Sequence, residues 1–149
     1  MEKIVFNPIG YVRTVAVGEE VKDSVVVSEI VLDNDLVKAL EGVDGFSHLF
    51  VLFYFNKIST KKPQALVIHP KGRADLPLMG IFGTRTMFRP NRIGLTLVEL
   101  LKLEGNVLTV RGLDAFDGTP VLDIKPYDPL GLPENARVPS WWAKLYEET

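Results

Sequence analysis

The stretch IGLTLVELLKLEGNVLTVRGLDAFDGTPVLDIKPYDP, residues 93–129, predicts three β-strands in succession. The strands are expected at Leu95 to Leu103, at Val107 to Gly112 and around Val121 to Ile124. Glu-Gly-Asn provides the tight turn between the first two. The apolar residues of LTLVELLKL satisfy a helical period as well, but the hairpin turn that follows them favours a strand.

The chain before this stretch is also rich in strand-like runs. IVFNPIGYVRTVAV predicts one or two strands broken at Pro8 and Gly10, and DSVVVSEIVLD and ALVIHP predict two more. His48 to Phe55 is a continuous apolar run that predicts a strand buried on both faces. NDLVKALEGVDG predicts one short helix, ended by Gly42, and NKISTKKPQ predicts a polar loop. Many short strands and few helices predict a mainly β fold, a small single-domain β-barrel with short helices.

Composition and charge exclude several classes of protein. The 149 residues carry a net charge of -2, which argues against a surface coated with positive charge for nonspecific nucleic-acid binding. The absence of cysteine excludes disulfides, thiol catalysis and thiolate metal sites, and two histidines make a histidine-rich zinc site improbable. We expect no metal. No apolar run reaches transmembrane length and MEKIVFNPIG lacks a signal-peptide pattern, so we expect a cytoplasmic protein with no membrane partner.

Positive charge is nevertheless gathered in one segment, KGRADLPLMGIFGTRTMFRPNR, which has almost no periodic pattern. Arg85, Arg89 and Arg92 surround Asn91, and arginine is suited to bidentate contact with a carboxylate or phosphate. Gly83 and Gly94 flank these side chains, and glycine lets the backbone approach a ligand closely. We predict a local anion-binding site for substrate. Surface arginines that merely bridge to nearby carboxylates are the alternative.

A second candidate anion site is HPKGRADLP, residues 69–77. A histidine and a fork-shaped guanidinium, His69 and Arg73, could together hold an anion or a nucleotide phosphate. An ordinary solvated loop is an equally good interpretation of these residues.

Three aspartates lie in GLDAFDGTPVLDIKPYDP. Asp-Gly at residues 117–118 is a turn signal, so Asp117 has a structural explanation. Asp123 lies within an apolar strand and shares its face with Lys125 and Tyr127 by the period of two, which predicts a polar row. With Asp114, the aspartates could instead bind Mg²⁺, although no phosphate-cradling loop accompanies them.

Three motifs together resemble the TsaA-like (TrmO) family: GFSHLFVLFYF, GIFGTRTMFRPNRIGLTLVELL and GLDAFDGTPVLDIKPY. The resemblance runs from about Ile9 to Asp128. It implies a methyltransferase that uses S-adenosyl-L-methionine on a small β-barrel, as a homodimer with the cofactor near the subunit interface. The implied reaction is N-methylation of threonylcarbamoyladenosine beside the anticodon of tRNA. The barrel domain would span residues 1–130, and residues 131–149 would form a short C-terminal tail packed on the barrel or on the partner subunit.

The resemblance also implies which residues contact the cofactor: Arg13, Thr14, Val15, Ser47, His48, Arg85, Leu95, Asp117, Gly118, Thr119 and Pro120. Because the acceptor nitrogen is poorly nucleophilic, we predict Asp117, Lys125 and Tyr127 as catalytic residues that take its proton or stabilise negative charge on the neighbouring carbonyl. A module that binds or senses S-adenosyl-L-methionine without acting on RNA is the competing hypothesis.

Overall fold

The computed structural model describes residues 1–58 and 65–147. It contains two compact units, the first made of Met1–Lys57 and Ile93–Asp128, the second of Ile58–Arg92 and Pro129–Thr149. Most of the predicted polar loop, residues 59–64, lies outside the described residues.

The strands in chain order are β1 Gly10–Arg13, β2 Val27–Leu32, β3 His48–Tyr54, β4 Val67–Ile68, β5 Met79–Gly80, β6 Ile93–Glu104, β7 Val107–Arg111 and β8 Pro120–Pro126.

Six strands of the first unit close into a barrel in the order β1-β2-β7-β6-β3-β8, and neighbouring strands are antiparallel. The mainly β barrel prediction is confirmed. Closure pairs Gly10 of β1 with Val121 of β8, which lie far apart in sequence. Each strand alternates between the barrel interior and its outer surface, so one set of side chains forms the core.

The predicted hairpin between β6 and β7 is confirmed. Gly105 has a φ of 59°, a left-handed conformation that glycine adopts without steric penalty. The Asn106 side chain donates a hydrogen bond to the carbonyl of Leu32, at 2.7 Å. The tight turn forces the two flanking segments to run side by side, so LTLVELLKL is a strand and not a helix.

The prediction that β3 is buried on both faces was wrong. Leu49, Val51 and Phe53 point into the barrel and are buried, whereas Phe50 and Leu52 on the outer face are only half-buried. A closed barrel covers the inner face of each strand, and the apolar run extends to the outer face without being enclosed there.

The short helices of the first unit are 3-10 helices at Gly18–Lys22, Asn34–Leu40 and Val43–Gly45. The second helix corresponds to the predicted one, but its apolar residues do not share one buried face. Leu40 is buried, Leu36 is half-buried and Val37 is exposed. Gly42, with a φ of 82°, follows this helix as predicted.

The barrel core is formed by side chains from all six strands and from the loop before β8. Its fully buried members include Val12, Ile30, Leu49, Val51, Phe53, Val98, Leu108, Val110, Leu113 and Val121. Gly94 belongs to this core, because a Cβ atom there would lie 2.4 Å from two ring atoms of Phe53. The prediction that Gly94 allows close approach of a ligand is therefore wrong, since the space is taken by an aromatic ring.

The second unit has the small antiparallel sheet β4–β5 and 3-10 helices at Pro70–Gly72, Ile81–Gly83 and Trp142–Tyr146. The last of these is held by two cations. Lys71 donates to the carbonyl of Leu145 at 2.7 Å, and Arg73 donates to the carbonyl of Lys144. Carbonyls at a helix C-terminus lack partners within the helix, and the two cations supply donors to two of them.

In the described part of the chain, none of the helices has the length and apolar character needed to cross a bilayer.

Candidate functional site

One end of the barrel joins three segments that are distant in sequence, and we call this place the Asp117 corner. The backbone N–H of Thr14, just after β1, donates to Asp117 Oδ1 at 3.0 Å. Lys57, just after β3, donates its ammonium to the Asp117 carbonyl at 2.6 Å. The N–H of Gly118 donates to the carbonyl of Val12 at 2.7 Å. The turn before β8 is thereby fixed against both neighbouring strands.

Three of the predicted cofactor contacts, Val15, Thr119 and Pro120, lie around this turn. Thr119 is buried and its carbonyl accepts from the N–H of Val12 at 2.9 Å. Pro120 is in register with Tyr11 of β1. Val15 is fully exposed, which leaves its side chain available to a ligand.

Arg13 at this corner forms an ion pair with Glu29 of β2, with 3.1 Å between Nε and Oε1. The hydrogen bond to Glu29 raises the pKa of Arg13 above its ordinary value, and the same bond lowers the pKa of Glu29. Both side chains are about half exposed, so the pair adds little stability. It does hold the guanidinium in place on the outer surface of the barrel.

The three predicted aspartates have separate partners. Asp114 accepts a short hydrogen bond from the Thr96 hydroxyl, Asp117 accepts from Thr14, and Asp123 pairs with Lys125 at 3.1 Å. Across residues 1–58 and 65–147, no three His, Cys, Asp or Glu side chains come together in a way that could hold a metal ion.

Ser47 and His48 lie at the opposite end of the barrel, which we call the His48 end. The Ser47 hydroxyl and His48 Nδ1 are 2.7 Å apart. The ring of Tyr127 packs edge-on against His48 and Phe50, with centroid distances of 6.1 and 5.7 Å. A cavity of about 150 Å³ opens beside this end; its lining residues are Glu41, Gly42, Val43, Phe46, Leu49, Ile124 and Pro126.

The two ends are separated by the length of β3. From His48 to Tyr54 the strand takes six residue steps, and at about 3.3 Å per step this is roughly 20 Å. The predicted row is confirmed for Asp123 and Lys125, which share the outer face of β8 and form an ion pair. Within one chain, the structure does not bring Asp117 together with Lys125 and Tyr127.

The predicted anion-binding arginines belong to the second unit and differ in their contacts. Arg89 donates to the carbonyls of Thr84 and Thr86 at 3.1 and 3.0 Å, and Arg92 donates to the carbonyl of Ile58 at 3.2 Å. Arg85 is exposed and makes no hydrogen bond or ion pair with any residue that the structure describes. Asn91 is exposed beside them. Of the three guanidinium groups, that of Arg85 is therefore the most available.

His69 and Arg73 already have partners within the second unit, in their own loop and, for Arg73, also in the last 3-10 helix. His69 Nδ1 lies 2.7 Å from the carbonyl of Leu76. Arg73 contacts both carboxylate oxygens of Asp75, at 3.0 and 2.6 Å, and this hydrogen bonding lowers the pKa of Asp75. The guanidinium is thus paired before any substrate arrives.

Sequence reasoning missed Lys57 and Thr96, which contact Asp117 and Asp114. Lys57 donates to the backbone carbonyl of Asp117, so no complementary residue type in the sequence indicates this contact. A β-strand threonine facing a loop aspartate is visible only once the strand register is known.

Comparisons with known proteins give consistent matches. A family model described as the tRNA-methyltransferase O N-terminal domain matches residues 18–130. A probable S-adenosyl-L-methionine-binding protein of Methanothermobacter thermautotrophicus is 45% identical over 100 residues, which is 67% of this chain and 69% of that protein. A tRNA (adenine(37)-N6)-methyltransferase of Mus musculus is 46% identical over 94 residues, 63% of this chain but only 21% of that enzyme.

A solved structure described as the crystal structure of TrmO superimposes with a TM-score of 0.73 at 32% identity. The match covers 92% of this chain and 64% of the solved one, so the chain spans less than two thirds of that protein. These matches include both units of the chain.

Proposed function

The chain belongs to the tRNA-methyltransferase O N-terminal domain family, and on this premise we propose that it transfers a methyl group from S-adenosyl-L-methionine to threonylcarbamoyladenosine beside the anticodon of tRNA. The Asp117 corner is the observation that carries the proposal. The Asp117 carboxylate accepts a hydrogen bond from the N–H of Thr14, and Lys57 fixes the same exposed turn by donating to the main-chain carbonyl of Asp117. We propose a cytoplasmic location, where tRNA is used.

The residues at this corner fit the methyl donor. Asp117 uses Oδ1 for Thr14, and its second carboxylate oxygen makes no hydrogen bond to the described residues. Carboxylates hold ribose hydroxyls in other nucleotide sites, and an ammonium group is an equally suitable partner. At Gly118 a Cβ atom would find no described atom within 4 Å, so a ligand can approach the backbone. When bound, S-adenosyl-L-methionine supplies an electrophilic methyl group.

Most of the other cofactor contacts implied by the resemblance lie in the barrel, at its two ends. Arg13, Val15, Thr119 and Pro120 lie around the Asp117 corner, whereas Ser47 and His48 lie about 20 Å away along β3. One small molecule does not span this distance while contacting both sets. We therefore propose that the complete site needs two copies of the chain.

The outer face of β3 and β6 supports a homodimer. It presents a row of apolar cross-strand pairs, in which Tyr54 faces Ile93, Leu52 faces Leu95 and Phe50 faces Leu97. Leu95 is 62% exposed and Leu97 is 43% exposed. Contiguous apolar surface of this kind is typical of protein–protein contacts.

A two-fold axis that lies in the plane of this interface, at right angles to the strands, packs the two outer faces together with their strands running in opposite directions. The Asp117 corner of one subunit then lies beside the His48 end of the other. Asp117 would take the proton of the acceptor nitrogen, while Lys125 and Tyr127 of the second subunit would donate hydrogen bonds to the neighbouring carbonyl. Each of these groups is fixed by contacts already made in the free chain.

The substrate also carries a threonine carboxylate and phosphates. Arg85 is the guanidinium most available to bind one of them, because Arg89 and Arg92 already donate to backbone carbonyls, and Asn91 of the same segment is exposed as well. His69 and Arg73 remain weaker candidates for anion contact, since Asp75 neutralises Arg73.

A module that binds S-adenosyl-L-methionine without methylating RNA is the second candidate function. It is favoured by the names of two relatives, from Methanothermobacter thermautotrophicus and Archaeoglobus fulgidus, which state cofactor binding and no reaction.

The test is methyl transfer from labelled S-adenosyl-L-methionine to tRNA with and without the threonylcarbamoyl group. We expect label only in the modified tRNA, and loss of most of this activity in Asp117→Asn, whose amide oxygen still accepts from Thr14 and preserves the fold. Asp35→Asn, which changes an exposed carboxylate of the 3-10 helix Asn34–Leu40, is the matched control. Cofactor binding without transfer to either tRNA would establish the sensing module instead.

The dimer is tested in parallel by light scattering. Leu95→Glu places charge in the middle of the proposed interface, so it should yield monomers that have lost methyl transfer but retain the far-UV circular dichroism of the barrel. A wild-type protein that is monomeric and active would refute the two-subunit site.

A further inference from the structure

Two large aromatic side chains are exposed on the loop of residues 81–92 in the second unit. Phe82 is 78% exposed and Phe88 is 57% exposed. Burying a phenylalanine is among the most favourable contributions to folding, so two exposed rings on one short loop suggest a partner that covers them.

Threonine side chains hold this loop in a defined shape. The Thr84 hydroxyl donates to the carbonyl of Ile81 at 2.7 Å and accepts from the N–H of Thr86 at 3.3 Å. The Thr86 hydroxyl accepts from the N–H of Phe88 at 3.2 Å. The backbone around both rings is therefore ordered before binding, which reduces the entropy lost when a ligand binds.

Arg89 reinforces the same loop. Its Nη1 donates to the carbonyls of Thr84 and Thr86, and its guanidinium carbon lies 5.9 Å from the centroid of the Phe82 ring. The contact is of the cation–π type and leaves the Phe82 ring mostly open to solvent. Arg89 thus supports an exposed aromatic surface.

The positive charge of the surrounding segment favours a polyanionic partner. Residues 58–92 contain seven of the 17 basic residues of the chain and one of its 19 acidic residues. A polyanion is attracted to such a segment even though the whole chain is mildly acidic. Unpaired nucleobases stack on exposed aromatic rings, whereas the bases of a duplex already stack on each other.

We propose that residues 81–92 form a stacking platform for single-stranded RNA, in which Phe82 and Phe88 contact unpaired bases and Arg85 contacts the phosphate backbone. The identification of the RNA as an anticodon loop rests on the proposed function. Stacking itself does not depend on methyl transfer, so the two ideas can fail separately.

The experiment measures binding of a fluorescent, unmodified anticodon stem-loop RNA by anisotropy, without a methyl donor. We expect Phe82→Leu and Phe88→Leu each to weaken binding on the order of tenfold, since leucine keeps the apolar contact but cannot stack. Phe82→Trp should bind as tightly as the wild type. Leu78→Ala, which removes a similarly exposed aliphatic side chain from the same unit, should have no effect.

Salt dependence separates stacking from charge. Arg85→Gln should reduce the slope of log affinity against log salt by about one ion, whereas the leucine variants should keep the wild-type slope. Equal affinity for a fully paired RNA duplex, or unchanged binding by both folded leucine variants, would overturn the proposal. Failure of the wild type to bind any RNA would also overturn it and would favour a protein partner for the two rings.

Methyl transfer measured on the same variants distinguishes the two proposals. If the wild type has no transferase activity but the leucine variants bind RNA more weakly than it does, the stacking platform stands and the proposed reaction does not. If the leucine variants transfer methyl groups and bind RNA as well as the wild type does, the proposed reaction stands and the stacking platform does not.

Discussion

Replacing Gly94 with alanine should destabilise the barrel through a single steric contact. Gly94 faces Phe53 across the β3–β6 pair, and the new methyl carbon would lie 2.4 Å from the Cε2 and Cζ atoms of that ring. Carbon atoms in contact are normally about 3.5–4.0 Å apart, so the overlap exceeds 1 Å. The ring cannot move freely, because Phe53 is buried and packs edge-on against Phe55 at 5.2 Å.

Overpacking of this kind costs about 1–3 kcal/mol. The φ of Gly94 lies outside the left-handed region, so alanine adds no backbone strain and the whole loss is steric. Gly45→Ala is the matched control, since its φ is also ordinary and a Cβ atom there would meet no described atom within 4 Å. The control should change the free energy of unfolding by no more than about 0.5 kcal/mol.

The assay is urea unfolding followed by far-UV circular dichroism, which reports the β-barrel. A double variant that combines Gly94→Ala with Phe53→Leu isolates the contact, because leucine lacks the ring atoms that overlap. The combined loss should be smaller than the sum of the two separate losses. A Gly94→Ala protein as stable as the wild type, or losses that simply add, would refute the steric explanation.

Three further predictions concern single groups. Ser28→Ala should leave the free energy of unfolding unchanged or raise it by about 1 kcal/mol, because the buried Ser28 hydroxyl has no hydrogen-bond partner among the described residues; a clear loss in urea unfolding would contradict this. The hydrogen bond from Arg13 lowers the pKa of Glu29 below its ordinary 4.5, so Glu29 stabilises the fold above that pH and its contribution disappears as the pH falls through the lowered value. Thermal melts across the acidic range should therefore decline less steeply for Glu29→Gln, and an identical decline would show that the ion pair is irrelevant. Lys71→Gly should remove the strain of the left-handed φ of 54° and also remove the hydrogen bond to the carbonyl of Leu145. Hydrogen exchange in the last 3-10 helix should therefore accelerate without a loss of global stability. Unchanged exchange would argue against this role of the Lys71 ammonium.

Local features of the fold could be predicted from the sequence. The β6–β7 hairpin follows from alternating apolar residues around Gly105, which supplies the φ that a two-residue turn requires. The helix Asn34–Leu40 was predicted in position, but with seven residues it is a 3-10 helix that only partly buries its apolar side chains. Short helices depend on tertiary contacts that no local pattern records.

For long-range features, the sequence predicted only the class of fold, a β-barrel, and not which strands pair. The pairing of Gly10 with Val121 closes the barrel, and nothing near either residue indicates the other. For the candidate site, resemblance to a family predicted the turn at Asp117, whereas the ammonium of Lys57 that fixes it donates to a main-chain carbonyl. A side chain that binds backbone leaves no complementary residue type in the sequence.

The register of β3 and β6 has a consequence for how this protein can be redesigned. Because Tyr54 is directly opposite Ile93, the chain leaves the barrel and re-enters it at the same point. Closing a long excursion costs little more free energy than closing a short one, so the segment between Lys57 and Ile93 can be lengthened, shortened or replaced with small effect on the sheet. Arg85 and the exposed rings of residues 81–92 all lie on that excursion. Grafting the corresponding segment of a relative between Lys57 and Ile93 should therefore transplant the proposed RNA preference, while the barrel and the Lys57 contact at its Asp117 corner are retained.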